Sequence, residues 1–238
     1  MTVATAAMRP DRLHALEALG EVLLGWGALS SLLYAGADAL AAARYEGYSY
    51  AAQSISELAA AGAPTRPLVV SLGVAYSVLV VGFGMAVWEA ARGKRAVRLT
   101  GALVIAYGLV GLAAPFCPMH VRGSPTSITD AMHVVLTAVT VLLILLQLAI
   151  GSGVAGRAFR IYSLATLAAV AVLGALAGLE GPSVAAGEAT PWLGVVERAC
   201  VGAYLLWVGV LDFVLLGAET RAFTAQVRAA QVVARARA

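Results

Sequence analysis

Two histidines and an aspartate lie close together at the start of a long apolar segment. Asp130 and His133 are three positions apart, so they share one face of a helix, and His120 precedes them in a polar loop. An ionisable side chain about one turn inside an apolar helix indicates a function and requires a polar partner. These residues are therefore candidates for acid–base chemistry, with His133 as the base, Asp130 orienting it and His120 as a second ligand.

The same three side chains are ligand types that zinc or another divalent metal accepts. A metal site would require His120, Asp130 and His133 to converge on one ion, although no HExxH-type spacing accompanies them. A third interpretation is structural, because Asp130 follows Thr129 at a predicted helix start and a carboxylate there compensates the helix dipole. All three interpretations remain open from the sequence.

A second group of polar residues lies between the first two apolar segments. Ser54 and Glu57 have capping-box spacing, which predicts a short interfacial helix beginning at Ser54. Capping is the simplest use of this pattern. A functional alternative is that the helix N-terminus, with Ser56 and nearby Arg66, binds an anion such as a lipid phosphate.

Arginines accompany each of the predicted outer loops. Arg66, Arg122 and Arg198 can hold a phosphate through paired N–H groups, so an anion site is favoured over a metal site. Glu197 precedes Arg198, and neighbours on a helix point in different directions, so each needs a partner elsewhere. Asp212, farther along, is interpreted as an interfacial charge or a helix–helix contact.

The composition excludes a soluble domain. The 238 residues are 61% hydrophobic and 12% charged, with mean hydropathy +0.87, whereas soluble domains carry about 25% charged residues. The net charge of +3 does not indicate nucleic-acid binding, because the basic residues lie at the ends of apolar runs. Cys117 and Cys200 are too few for a disulfide framework or an all-cysteine zinc site.

The apolar runs predict an all-α integral membrane protein, a bundle of six transmembrane helices with the short interfacial helix in the first outer loop. Residues 1–218 are expected to form one membrane domain and residues 219–238 a basic, helical cytoplasmic tail. The predicted spans are Val22–Ala37, Pro67–Trp88, Leu99–Met119, Ala131–Gly156, Ile161–Leu179 and Leu193–Gly217. Close helix packing is expected at the small-xxx-small pair Gly174 and Gly178, and at Gly82, Gly84, Gly108 and Gly111.

The distribution of basic residues predicts the orientation in the plasma (inner) membrane. One side collects the clusters around Arg9, Arg95, Arg157 and Arg228, so the positive-inside rule places both termini in the cytoplasm. The segment beginning at Val22 has some features of a signal peptide, but its length favours a retained first span.

Taken with these motifs, the chain resembles the domain of unknown function 998 family of six-span prokaryotic membrane proteins. The resemblance covers nearly the whole chain and implies six spans, but no activity. The stretches that carry it are 54–58, 63–67, 116–123, 129–133, 197–198 and 204–207. A short similarity around Ile55 and Ser56 to eukaryotic six-span proteins of the damage-regulated autophagy modulator kind favours lipid handling.

Two functions follow as hypotheses. In the first, the protein binds or modifies a lipid headgroup in an outward-facing site made from the first two outer loops and the tops of spans four and six. In the second, it is a non-enzymatic membrane partner or sensor whose polar residues fix helix packing. A proton-coupled transporter ranks below both, because acidic residues are missing from the middle of the spans.

Overall fold

The computed structural model describes residues 22–237, with side chains described to Arg221 and at Thr224, and six long helices form this part of the molecule. Six helices are long and apolar enough to cross a membrane, which confirms the expected all-α six-span architecture. The helices are α1 (Trp26–Arg44), α2 (Arg66–Glu89), α3 (Arg95–Ala113), α4 (Ile128–Gly151), α5 (Arg157–Leu179), the short α6 (Gly181–Ala186) and α7 (Leu193–Arg237).

The spans are arranged as a ring. Each of α1 to α5 packs against the next span in sequence, α5 packs against α7, and α7 closes the ring on α1. Short connections favour this arrangement because they make consecutive helices antiparallel neighbours. Phe83, Leu148 and Trp207 are completely buried inside it.

Helices α2 and α3 approach most closely through glycine. A methyl group at Gly101 would lie 2.6 Å from Trp88 N, and one at Gly84 would lie 2.7 Å from Ile105 N. The atoms in the way belong to the backbone, so they cannot rotate aside. Added methyl groups at Gly82 and Gly111 would also meet atoms within 2.5 Å, so close packing is confirmed there. The expectation is wrong for Gly178, where nothing lies within 4 Å, and a methyl group at Gly174 would make only an ordinary contact, 3.7 Å from Cys200 Sγ.

Replacing Gly101 with alanine is expected to lower the free energy of unfolding by about 1–3 kcal/mol, because the methyl group forces α2 and α3 apart. Gly36→Ala is the matched control, since nothing lies within 4 Å of its added methyl group. Unfolding of the two purified variants in detergent by increasing amounts of SDS measures the difference. Equal midpoints would contradict the close packing.

The short interfacial helix in the first outer loop is confirmed as one 3₁₀ turn, Ile55–Ala59. Both halves of the predicted capping box form: Ser54 Oγ accepts from Glu57 N at 3.3 Å, and Ser54 N donates to Glu57 Oε2 at 2.7 Å. A second 3₁₀ turn, Ala114–Phe116, follows α3. Both turns lie at the same end of the helix bundle.

Several helix ends differ from the predicted ones, each for a physical reason. Helix α1 continues past Ala37 because Asp38 is paired inside the protein. Helix α3 ends at Ala113, ahead of the Pro115 turn and well before the predicted Met119. Helix α7 runs without interruption to Arg237, so residues 219–237 continue the last span along the same helix.

Candidate functional site

Three loops, together with the helix ends beside them, join into one structure at the end of the bundle that the arginine distribution predicts to face outward. We call it the outer cap, and its loops are residues 45–65, 114–127 and 187–192. Ala61 pairs with the second loop, its N–H donating to Met119 O at 2.7 Å while its carbonyl accepts from Val121 N at 3.3 Å. The third loop is tied to the first by Thr190 Oγ1, which donates to Ala52 O at 2.8 Å. The cap therefore brings together side chains from distant parts of the chain.

Asp130 is the centre of one polar cluster in the cap. As the third residue of α4 it completes a capping box with Ser127, accepting from Ser127 N and Oγ at 2.8 Å each. It also accepts from His120 N at 2.7 Å, and its Oδ2 lies 3.0 Å from His120 Nδ1. The carboxylate thus performs the predicted capping role and holds His120 at the same time.

These contacts define which ring nitrogen of His120 carries the hydrogen. A carboxylate only accepts hydrogen bonds, so Nδ1 of His120 carries the hydrogen and Nε2 has the free lone pair when the ring is neutral. The His120 side chain is 35% exposed. An imidazole held through Nδ1 by a carboxylate is arranged to accept a proton or to bind a ligand at Nε2.

His133 is held in a similar way but by a different group. Its Nδ1 lies 3.0 Å from Cys117 O, and a carbonyl accepts, so this nitrogen also carries the hydrogen. Asp130 pairs with His120 instead of the neighbouring His133. Within residues 22–237 no three His, Cys, Asp or Glu side chains are grouped so that they could hold a metal ion.

Glu57 and Arg122 form a second cluster, connecting the first two loops of the cap. Arg122 Nε and Nη2 each lie 3.0 Å from an oxygen of Glu57, and Arg122 Nη1 donates to Glu188 O. Glu57 also accepts from Ser54 and Gln53, and its side chain is only 3% exposed. Burial alone would raise the pKa of Glu57, but the donors from Arg122, Ser54 and Gln53 outweigh it and hold the pKa below its ordinary value.

Arg198 forms the third cluster, between α7 and α1. Its Nε and Nη2 pair with the two oxygens of Asp38 at 3.0 and 2.9 Å. Nη1 donates to Tyr50 O and Gln53 O, and Nη2 also donates to the Tyr48 hydroxyl oxygen at 2.6 Å. Every nitrogen of this guanidinium is therefore bonded within the protein.

Two tyrosines of the first loop enclose Arg198. The guanidinium carbon lies 3.7 Å from the ring centre of Tyr50, which adds a cation–π contact. The hydroxyl of Tyr50 donates to Asp38 at 2.8 Å. Burial raises the pKa of Tyr48 to about 12 despite its hydrogen bond with Arg198, so this tyrosine stays neutral.

The N-terminus of the short helix faces a carboxylate of the protein itself. Ile55 N donates to Glu197 Oε2 at 2.8 Å, and Glu57 N donates to Ser54 Oγ at 3.3 Å. The functional alternative to capping placed an external anion at this helix end, but the carboxylate of Glu197 occupies that position. Ser56 is half-buried in the same turn.

Arg66 differs from the other two arginines of the cap. It donates to Ala59 O at 2.6 Å and Pro115 O at 2.9 Å. These are neutral acceptors, and among the described residues no carboxylate lies within 4.0 Å of Arg66. Its positive charge therefore has no counter-ion within the described part of the protein.

Sequence reasoning did not identify Asp38, Tyr48, Tyr50, Gln53 or Ser127 as site residues. Asp38 carried a usable signal, because a carboxylate within an apolar run requires a partner inside the protein. Tyr48 and Tyr50 had no such signal, since tyrosine is common at membrane interfaces.

Comparison with known proteins gives a family match and nothing more specific. A family model described as a protein of unknown function (DUF998) matches residues 28–214, which include all three clusters of the outer cap. No curated protein and no solved structure matches the chain.

Proposed function

The chain belongs to the DUF998 family, and from that premise we propose that this multi-pass membrane protein binds the headgroup of an outer-leaflet phospholipid and that His120 acts on it as an acid–base group. The main observation behind this proposal is the hydrogen bond between Asp130 and Nδ1 of His120. It leaves Nε2 of His120 available on a partly exposed side chain. Asp130 positions the ring, and Ser127 completes the cluster.

The depth of the site supports a lipid substrate. Phe116 and Ile128, which flank the second outer loop, are 77% and 76% exposed, and Trp192 in the third loop is 69% exposed. Large apolar and aromatic side chains exposed at span ends are typical of the boundary between hydrocarbon and headgroups. His120 lies between Phe116 and Ile128 in the chain, so the proposal puts it at the level of the headgroups.

Arg66 supplies the charge that a phosphate requires in this proposal. Its guanidinium bonds only carbonyl oxygens, so it attracts an anion more strongly than Arg122 or Arg198, whose charges are already paired with Glu57 and Asp38. Arg66 also contacts Pro115, two residues before the Cys117 carbonyl that holds His133. The phosphate and the reacting group would thus meet beside the 115–120 segment.

The second candidate is a structural or partner-binding role, and it too has a specific observation in its favour. Two of the three arginines expected to bind phosphate are bonded to buried carboxylates instead, as expected of a polar network that fixes packing. In this alternative the outer cap is a rigid surface with no catalytic role.

Turnover of a labelled phospholipid by the purified protein in nanodiscs separates the two candidates. We expect His120→Ala to reduce turnover by about 10²–10⁴-fold, the usual contribution of an acid–base group. Ser124→Ala, in the same loop, is the control and is expected to retain full turnover. Wild-type protein that neither retains nor turns over phospholipid would favour the structural role.

The proposal places both termini on the cytoplasmic side of the plasma membrane, as the arginine distribution favours. Cysteine labelling tests this in a background lacking Cys117 and Cys200. A reagent that cannot cross the membrane is expected to label a cysteine at Ser124 in intact cells but not one at Thr224. The reverse labelling pattern would show that the outer cap faces the cytoplasm.

A further inference from the structure

The seam between α1 and α7, where the ring closes, has polar contacts at three depths. Arg198 pairs with Asp38 at its outer end. Leu205 O accepts from Ser31 Oγ at 3.1 Å in the middle, and Asp212 Oδ2 accepts from Ala28 N at 3.0 Å farther in. Asp212 is 14 residues from Arg198, about 21 Å along the helix, so it lies toward the opposite end of the seam.

Asp212 has an unusual environment for a carboxyl group. The residue is 2% exposed, and within the described part of the chain its Oδ1 has no hydrogen-bond partner. A methyl group added at Gly27 would lie 3.1 Å from Asp212 Cβ and 2.8 Å from the Phe83 ring, so the space around it is filled. Gly27 and Ala28 on α1 and Phe83 on α2 are not titratable.

The contrast with Asp38 shows what Asp212 lacks. Asp38 is buried to a similar degree, yet it has two bonds from the Arg198 guanidinium and one from Tyr50. Among the described residues, Asp212 has one donor, the neutral N–H of Ala28. An ionised carboxylate so poorly compensated costs several kcal/mol, and that cost is removed when the group binds a proton.

We propose that Asp212 is a proton-binding site in the inner half of the α1–α7 seam. The proton resides on Oδ1, and the carbonyl oxygen Oδ2 of the neutral acid accepts from Ala28 N–H. The nearest charged residue along α7, Glu219, is seven positions away and pairs with Arg92. The proposed proton site is independent of the His120 cluster at the outer face.

Infrared difference spectroscopy of the full chain in nanodiscs tests the proposal. Subtracting the spectrum of Asp212→Asn from that of the wild type at pH 7 is expected to reveal the C=O band of a carboxylic acid, shifted in D2O. If this difference spectrum instead contains the bands of an ionised carboxylate, Asp212 is not protonated and the proposal fails. Asp38→Asn is the matched control from the same seam, and its difference spectrum is expected to contain carboxylate bands because Asp38 is paired with Arg198.

A second measurement needs no variant. The chain has four aspartates, so wild-type protein carrying ¹³C in its aspartate carboxyl groups is expected to show an isotope-shifted carboxylic-acid band at pH 7. If every aspartate band belongs to a carboxylate, Asp212 does not carry a proton and the proposal fails.

Discussion

Replacing Arg198 with alanine is expected to lower the free energy of unfolding by about 3–5 kcal/mol, the cost of leaving one member of a buried ion pair alone. The Asp38 side chain is 7% exposed and would lose both guanidinium bonds. The first outer loop would also lose its anchors at Tyr50 O and Gln53 O. A lower midpoint of SDS-induced unfolding and faster proteolysis of that loop measure the effect.

Two controls isolate the ion pair from a general effect of removing arginine. Arg44→Ala removes an exposed arginine from the end of α1, and its effect is expected within about 0.5 kcal/mol. The double variant Arg198→Met with Asp38→Leu removes both charges and is expected to be more stable than Arg198→Ala alone. Equal midpoints for Arg198→Ala and Arg44→Ala would show that the pair contributes no net stability.

Arg122→Ala is expected to lower the free energy of unfolding by about 3 kcal/mol, the lower end of the range for a broken buried pair because the arginine is 18% exposed. Glu57 would keep its bonds from Ser54 and Gln53 but lose both guanidinium bonds. Glu188→Gln is the control, since Arg122 bonds only the backbone carbonyl of Glu188. An Arg122→Ala variant as stable as this control would contradict a stabilising role for the pair of Arg122 and Glu57.

The same pair makes an acid-dependent contribution to stability. The donors hold the pKa of Glu57 in the folded protein below its ordinary value, so the unfolded state binds the proton more tightly. The contribution is therefore fully present above about pH 4.3, the unfolded value, and is lost as pH falls through the folded pKa. Glu57→Gln is expected to remove this part of the acid sensitivity from the unfolding profile.

Local patterns predicted those parts of the outer cap whose partners are close in sequence. The capping box of Ser54 and Glu57 formed as expected because both residues belong to one turn. Asp130 capped α4 for the same reason, with Ser127 as its partner. The pairing of Asp130 with His120 was not predicted, because it depends on the path of the loop between them.

The arginines illustrate the limit of residue type as a guide to role. Arg66, Arg122 and Arg198 were equivalent candidates for phosphate on the basis of charge and outer position. The structure separates them by their acceptors: Arg122 and Arg198 each meet a buried carboxylate, whereas Arg66 meets only carbonyl oxygens. Residue type supplies a charge, but the counter-ion that neutralises it comes from another segment.

By itself, the sequence determined that this chain is a six-span, all-α membrane protein, because span length and hydropathy are local properties set by bilayer thickness. Only the tertiary structure decided which polar groups meet. Arg198 and Asp38 are 160 residues apart, and Glu197 and Ile55 are 142 apart. Such pairs form because the ring closes α7 on α1 at a matching depth, which depends on the packing of all six spans together.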